Sequence, residues 1–215
     1  MDSLTYIDLS SLNLPKIDTS ELDDVEWFYV KFHGAEMCSL YNIRNEGNWI
    51  KDWALPPTSK IRQTLEDVIF PFLGGRGNVT IIKTTPGDEL NHHIDSSADE
   101  YGTEQHKFRW VLKGRTDTLF FFDDKEQKHF IPNIDTYIVN GAHPHGMENT
   151  GDDIKYTLCI GSPWKPNDIF LKNIDTMPKN YLPLPKLKKE WTDPRIEEKK
   201  SNVLGSTFFK VKESK

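Results

Sequence analysis

The sequence predicts a mainly β fold with helical flanks, an antiparallel sandwich or barrel of the jelly-roll type. Three observations support this prediction. One amphipathic helical segment ends at the glycine pair Gly74-Gly75. About eight short, apolar segments follow it, and turn-forming residues such as Pro86-Gly87-Asp88 and Gly114 separate them. Short strands at such regular intervals are typical of all-β sandwiches and barrels.

The helix is expected over residues 58–73, because apolar residues there recur at helical spacing. These residues are Ile61, Leu65, Val68, Ile69 and Phe72. Thr58 or Ser59 can cap the start of the helix, and the glycine pair ends it. Strands are expected over residues 25–32 ahead of the helix and, behind it, over 78–84, 89–95, 106–113, 116–123, 127–131, 134–140, 145–149 and 154–161.

The amino-acid composition changes after the last of these strands. Residues 165–215 are rich in proline, lysine and glutamate. We therefore expect a double-sheet domain with N-terminal supports over residues 1–164 and an extension over 165–215. The extension is expected to wrap the barrel, to contribute to an interface or to be partly disordered, and its charged run to form a solvated face.

Composition excludes several classes of function. A formal net charge of -6 argues against broad nucleic-acid binding, which needs a basic face. No apolar run approaches the roughly 20 residues that cross a bilayer. Cys38 and Cys159 are too few for a disulfide framework and are expected to be buried free thiols in a reducing compartment. We expect a cytoplasmic protein that acts on a small molecule or a peptide.

A His-x-Asp motif, His93-Ile94-Asp95, lies in the expected strand 89–95. Alternate residues of a strand face the same side, so His93 and Asp95 point together and His92 points away. A third ligand from another strand would complete a set of two histidines and one carboxylate, which suits iron(II) and leaves positions open for reactants. His143 and His145 share strand parity, and both are candidates for this ligand.

Lys155 follows His145 by ten residues, and Thr157 lies on the same strand face as Lys155. A buried cation with a hydroxyl can hold one end of a dicarboxylate by charge-assisted hydrogen bonds. The other interpretation of Lys155 is a solvent-facing charge paired with Asp152 or Asp153. Arg109 lies in an apolar strand, where a cation needs a partner: a carboxylate of the cosubstrate, a carboxylate of the substrate or a salt bridge at the strand edge.

Taken together, these motifs resemble those of the 2-oxoglutarate- and iron(II)-dependent oxygenases. That superfamily carries His-x-Asp, a distal histidine, and then a cation followed by a hydroxyl residue, here Lys155-Tyr156-Thr157. The stretch from 89 to 161 is most similar to the aspartyl/asparaginyl β-hydroxylase-like branch. The resemblance depends on Arg109 after the His-x-Asp motif and on the segment 145–149, and it favours His145 over His143.

The resemblance implies a double-stranded β-helix, a jelly roll of the cupin-like kind. It also implies iron(II) held by His93, Asp95 and His145, with 2-oxoglutarate bound by Lys155, Thr157 and Arg109. Dioxygen would be the second cosubstrate, and succinate and carbon dioxide would be coproducts. A cupin-like module that binds a metal or a ligand without redox turnover is the alternative, and Lys155-Tyr156-Thr157 is the feature that discriminates against it.

Overall fold

The computed structural model describes residues 2–30, 34–45, 48–95, 106–161 and 164–191. Four strands precede the helical segment: β1 (Asp2–Asp8), β2 (Phe28–Val30), β3 (Ala35–Asn45) and β4 (Asn48–Trp53). Nine follow it: β5 (Val79–Thr84), β6 (Glu89–His93), β7 (His106–Lys113), β8 (Leu119–Phe122), β9 (Lys128–Phe130), β10 (Thr136–Asn140), β11 (His145–Glu148), β12 (Lys155–Ile160) and β13 (Lys179–Pro183). The α-helices are α1 (Lys60–Thr64), α2 (Phe70–Leu73) and α3 (Asp168–Asn173).

The strands form two antiparallel sheets. The larger sheet has the order β13-β1-β10-β7-β12-β5-β3-β2, with β4 beside β3, and the smaller has the order β6-β11-β8-β9. The chain crosses between the sheets as it runs from β5 to β12. β5, β7, β10 and β12 lie side by side in the larger sheet, while β6, β8, β9 and β11 make up the smaller. This topology is the double-stranded β-helix, and the predicted fold class is confirmed.

The helical segment begins and ends where the sequence predicts. The Ser59 side chain accepts a hydrogen bond from the backbone N–H of Arg62, and Gly74 ends the segment with a φ of 67°. A π-helical turn, Leu65–Ile69, joins α1 to α2. Because this turn widens the spacing, every fourth residue is fully buried, and Val68, expected on the buried stripe, is exposed. The buried residues are Ile61, Leu65, Ile69 and Leu73.

The eight strands expected behind the helix all occur in their predicted order, and β7 has its predicted bounds. Four further strands, β1, β3, β4 and β13, were not predicted from the sequence. The strand expected over 25–32 is the shorter β2, with residues 31–32 outside the described ranges. β1 pairs with β13, almost the full chain length away, and a bulge between Leu4 and Tyr6 breaks its alternation. That pairing leaves little local signal.

Apolar clusters surround a polar strip inside the barrel. Outside the larger sheet, the main core packs the helical segment against residues such as Phe108, Trp110 and Leu158. Between the sheets lie two smaller clusters, one containing Ile82 and Met147, the other Phe121 and Val139. The inner face of β7 and β12 also carries charged and hydroxyl side chains, which we call the polar strip. Its members are Lys107, Arg109, Lys155 and Thr157.

The chain beyond residue 164 continues to pack on the barrel as far as residue 191. α3 contacts α2, β13 pairs with β1 at the edge of the larger sheet, and the Trp191 ring stacks on Phe122. The domain boundary after residue 164 stays a prediction, and residues 192–215 of the expected extension lie outside the described ranges.

Both cysteines are buried and free, as predicted. Among the described residues, no helix is long and apolar enough to span a membrane.

Candidate metal centre

Two neighbouring strands of the smaller sheet place His93 and His145 side by side. β6 and β11 are antiparallel, and the two histidines are direct cross-strand partners. Their ring centroids are 4.8 Å apart. On the other side of β11, Phe121 of β8 is the cross-strand partner of His145. Both histidines are buried, so the smaller sheet alone supplies two adjacent imidazoles inside the barrel.

Asp95 joins the two imidazoles from the end of β6. Its backbone N–H donates to the carbonyl of Gly141 at 2.7 Å, which fixes the chain just beyond the strand. One carboxylate oxygen lies 3.6 Å from His93 Nε2 and the other 3.7 Å from His145 Nε2. Ligand atoms of the three residues all lie within 4.8 Å of one another. The structure therefore brings together the three side chains that the sequence proposes as metal ligands.

Backbone carbonyls orient both imidazoles toward a shared point. His93 Nδ1 is 2.7 Å from the carbonyl oxygen of Asn91, and His145 Nδ1 is 2.8 Å from that of His143. A carbonyl only accepts, so in each neutral ring Nδ1 carries the proton and donates it. The lone pair is then on Nε2, the atom that faces Asp95. Such outer hydrogen bonds are the usual support of metal-binding histidines.

The charge states of His145 and Asp95 also suit a divalent cation. Burial, together with the neighbouring His93, lowers the pKa of His145 to about 3, so this ring is neutral at physiological pH. Burial alone would raise the pKa of Asp95, but His93 and the positive charge of Lys107 outweigh it. The pKa of Asp95 therefore lies well below its ordinary value. A carboxylate and neutral imidazoles are the forms that bind metals.

The competing histidines lie outside this cluster. His92 is exposed and contacts the Phe122 ring edge-on. His143 is fully buried, but its Nε2 forms a hydrogen bond of 2.7 Å with the carbonyl oxygen of Phe122. It precedes β11, so strand parity does not apply to it. The structure thus places His93 and His145, and neither alternative, beside Asp95.

Lys155 is fully buried and points into the barrel. Its ammonium group donates to the hydroxyl of Thr118, and no ion pair joins it to any carboxylate of the described ranges. The pairing with Asp152 or Asp153 that the sequence left open does not occur. Burial lowers the pKa of Lys155 to about 7, although the field of nearby Asp117 acts in the opposite direction.

Two buried hydroxyl groups near Lys155 make no hydrogen bond to any described residue: Thr157 Oγ1 and Thr84 Oγ1. Thr84 is the cross-strand partner of Lys155, and Thr157 lies two residues further along β12. Unsatisfied buried hydroxyls carry a free-energy cost unless a ligand or water bonds to them. A buried cation with two free hydroxyls is therefore a site prepared for an anion.

Arg109 also faces the interior, between Tyr137 of β10 and Cys159 of β12 in the register of the sheet. Arg109 forms no salt bridge with any described residue. The strand-edge salt bridge that the sequence left open is therefore not found among the described residues. Asp95 is one of the groups whose negative charge acts on the guanidinium. Arg109 therefore lies within the polar strip, near Asp95.

No sequence pattern indicated Thr118 or Thr84 as site residues, or the role of Gly141. Thr118 immediately precedes β8 and becomes a partner of Lys155 only through the packing of one sheet on the other. Gly141 follows β10 and accepts from Asp95. Its role needs the tertiary structure, because a glycine between two strands reads as an ordinary turn residue.

We expect Gly141→Ala to disturb the metal centre. A Cβ atom at this position would lie 2.6 Å from Asp95 Oδ2 and 2.7 Å from Asp95 Cβ, so Asp95 would have to move. The expected loss of metal affinity is about 10–100-fold, the usual effect of disturbing groups that support ligands. Competition with a chromophoric chelator would measure it. Gly75→Ala is the control, because its new Cβ would be 3.4 Å from the nearest atom. Equal affinities for both variants and the wild type would contradict this geometry.

Comparison with known proteins finds similarity only among solved structures, at low sequence identity. No protein-family model and no curated protein sequence matches the chain. Among solved structures, it is similar to the cupin domain of Drosophila melanogaster CENP-C (10% identity, TM-score 0.38, covering 72% of this chain and 92% of that one). It is also similar to a prolyl-4-hydroxylase from Pseudomonas putida (13% identity, TM-score 0.42, covering 74% of this chain and 89% of that one). A third similar structure is an oxidoreductase of the 2OG-Fe(II) oxygenase family from Burkholderia pseudomallei (13% identity, TM-score 0.43, covering 69% of this chain and 79% of that one). The TM-scores of these three structures are below 0.5, so the function has to be argued from the side chains.

Proposed function

We propose that this protein is an iron(II)- and 2-oxoglutarate-dependent oxygenase that hydroxylates a C–H bond of a small molecule, an amino acid or a peptide side chain. One observation carries the proposal. The same barrel contains a two-histidine, one-carboxylate cluster and a fully buried lysine without a carboxylate partner among the described residues. A metal centre alone would not need that lysine, whereas a site for a metal-bound dicarboxylate would.

His93, Asp95 and His145 would hold the iron. Two imidazoles and one carboxylate form the donor set of non-haem iron(II) oxygenases, with open positions left for reactants. Iron(II) bound there, together with 2-oxoglutarate and dioxygen, would supply the oxidising power for hydroxylation, with succinate and carbon dioxide as coproducts. The protein's own contribution is to orient both Nε2 atoms and the Asp95 carboxylate before any ligand arrives.

Lys155 would bind the distal carboxylate of 2-oxoglutarate. Its ammonium group donates, and the hydroxyls of Thr118, Thr84 and Thr157 can donate as well. Such charge-assisted hydrogen bonds are strongest away from water, and the apolar clusters on both sides of the polar strip keep water out. Arg109, which lies within the strip near Asp95, would interact with the end of the cosubstrate that approaches the metal.

Within the superfamily we assign the chain to the aspartyl/asparaginyl β-hydroxylase-like branch. Two features support this assignment: the inward position of Arg109 on the strand after the His-x-Asp motif, and the buried Asn149, four residues beyond His145. The Asn149 amide donates to the carbonyls of Thr84 and Asp153. This residue therefore fastens the end of β11 beside the start of β12, where Lys155 is placed.

The affinity for 2-oxoglutarate should depend on pH in a way that tests the role of Lys155. Because burial brings the pKa of this lysine to about 7, the free site is protonated below pH 7 and neutral above it. The ligand needs the protonated form. We expect the Kd of 2-oxoglutarate to be constant below pH 7 and to rise about tenfold per pH unit above it, with uptake of one proton on binding.

Isothermal calorimetry with manganese-loaded protein in buffers of different ionisation enthalpy would measure both the Kd and the proton uptake. Lys155→Arg is the matched variant, because a guanidinium stays protonated throughout and should give a flat profile. A wild-type profile that is flat between pH 6 and 9, together with a Kd that Lys155→Met leaves unchanged, would rule out Lys155 as the cosubstrate anchor.

A further inference from the structure

A second inward-facing lysine, Lys107, binds no ligand in the function proposed above. It is the cross-strand partner of Val139, a fully buried residue of the interior cluster, and lies on the same face of β7 as Arg109. Its ammonium nitrogen is 3.5 Å from the position that a Cβ atom on Gly161 would occupy. The Lys107 side chain therefore extends across the inner face of the sheet, over the end of β12.

Lys107 makes no hydrogen bond and no ion pair within 4 Å to any residue of the described ranges. Asp95 is near enough to feel its charge, but the carboxylate is oriented toward the two imidazoles. In a protein with a net charge of -6, an inward-facing cation without a bonded partner among the described residues needs explaining. Partly buried charges normally have a partner, so the partner here is expected to be a ligand.

Lys107 and Lys155 lie at opposite ends of the polar strip. Gly161, beside the Lys107 ammonium group, is six residues from Lys155 along the chain. The metal cluster is at the Lys107 end, because Asp95 is bonded to Gly141, the residue after β10. A cosubstrate that runs from the metal toward Lys155 therefore extends away from Lys107.

Aromatic rings lie across from Lys107 at the same level of the barrel. Tyr6 of β1 pairs with Val139, which in turn pairs with Lys107, so two strand spacings, about 10 Å, separate Tyr6 from Lys107. The rings of Tyr6 and Phe121 are stacked at 6.2 Å with an interplanar angle of 22°. Phe121 also contacts the His145 ring at 6.0 Å. The aromatic pair thus reaches the metal cluster.

We propose that Lys107 binds an anionic group of the substrate, while Tyr6 and Phe121 contact the apolar part of the same molecule. The substrate class is then a small molecule with a carboxylate or a phosphate, of a length that fits between the lysine and the aromatic pair. This inference rests on the proposed function, because it places the substrate on the side of the metal that 2-oxoglutarate does not occupy.

Relaxation enhancement by Mn(II) tests this proposal with simple probes. Protein loaded with Mn(II) and saturated with 2-oxoglutarate is titrated with acetate, with inorganic phosphate and with neutral acetamide, and the proton or phosphorus relaxation of each probe is recorded. We expect saturable enhancement by acetate, phosphate or both, and none by acetamide. Acetate alone identifies a carboxylate site, and phosphate alone a phosphate site.

The variants decide whether Lys107 is responsible. Lys107→Gln should weaken the anion effect at least tenfold, and Lys107→Arg should keep it. Lys113→Gln, which removes the same charge from the exposed end of β7, should bind the probes like the wild type. The Mn(II) affinity of each variant is measured first, so that a change at the metal is not mistaken for a loss of the anion.

Equal enhancement in Lys107→Gln and the wild type, or no saturable enhancement in the wild type, would overturn the proposal. The proposed oxygenase function fails on a different observation, namely the absence of 2-oxoglutarate binding to the metal-loaded protein. The two failures are therefore distinguishable.

Discussion

Replacing Lys155 with methionine is expected to abolish 2-oxoglutarate binding and at the same time to stabilise the ligand-free protein. Methionine is similar in volume and needs no hydration, so the cost of burying an unpaired ammonium group disappears. We expect the free energy of unfolding to rise by about 1–4 kcal/mol, the range found when buried charges are replaced by apolar side chains. The Kd for 2-oxoglutarate should rise at least 100-fold.

The gain in stability of Lys155→Met should depend on pH, and the direction of that dependence can be predicted. The pKa of Lys155 in the folded protein, about 7, is below that of an unfolded lysine, so the unfolded chain binds more protons between those two values. The free-energy cost of burying the Lys155 ammonium group is therefore complete below pH 7, and it declines as the pH rises toward about 10. The gain in Lys155→Met should therefore be largest below pH 7 and shrink in alkali.

Urea unfolding at several pH values, together with calorimetric titration of 2-oxoglutarate, measures both effects. Thr157→Val is a milder companion variant, because it removes only a hydroxyl that has no partner among the described residues. If Lys155→Met were less stable than the wild type and still bound 2-oxoglutarate, Lys155 would be a structural residue rather than an anion site.

Replacing Asp95 with alanine is expected to abolish iron-dependent turnover of 2-oxoglutarate. The variant keeps both imidazoles but loses the only carboxylate of the cluster. It also loses the negative charge that balances the metal. We expect succinate formation to fall to the level of the metal-free protein and the affinity for Fe(II) to fall by at least 100-fold.

Succinate assay and metal titration would measure this result, with Asp124→Ala as the control. Asp124 is an exposed carboxylate in the turn after β8, so its removal makes the same chemical change away from the cluster. If turnover survived in Asp95→Ala, the assignment of the metal centre would be wrong.

Strand periodicity is the reason why so much of the site could be predicted from the sequence. His93 and Asp95 are two residues apart at the end of β6, as are Lys155 and Thr157 within β12, and the period-two rule orients each pair correctly. The rule did not separate His143 from His145, because only His145 lies within β11. His143 is instead turned toward a backbone carbonyl by the preceding loop.

Contacts between distant elements account for what could not be predicted. Thr118 meets Lys155 across the two sheets, and Gly141 meets Asp95 beyond the ends of their strands. Neither contact leaves a local pattern. The pairing of β1 with β13 leaves no local pattern either, because the two strands are far apart along the chain. A motif search finds the candidate ligands, whereas the groups that support them can be identified only from the fold.

The most direct test of the proposed function is an anaerobic titration of the metal-free protein with Fe(II) and then 2-oxoglutarate, followed by visible absorption. A metal-to-ligand charge-transfer band should appear only when both are present, saturate at one equivalent of each, and be lost in Lys155→Met and Asp95→Ala. Protein that is shown to bind iron but develops no band with 2-oxoglutarate would contradict the proposal, and the chain would then be a cupin-like metal-binding module.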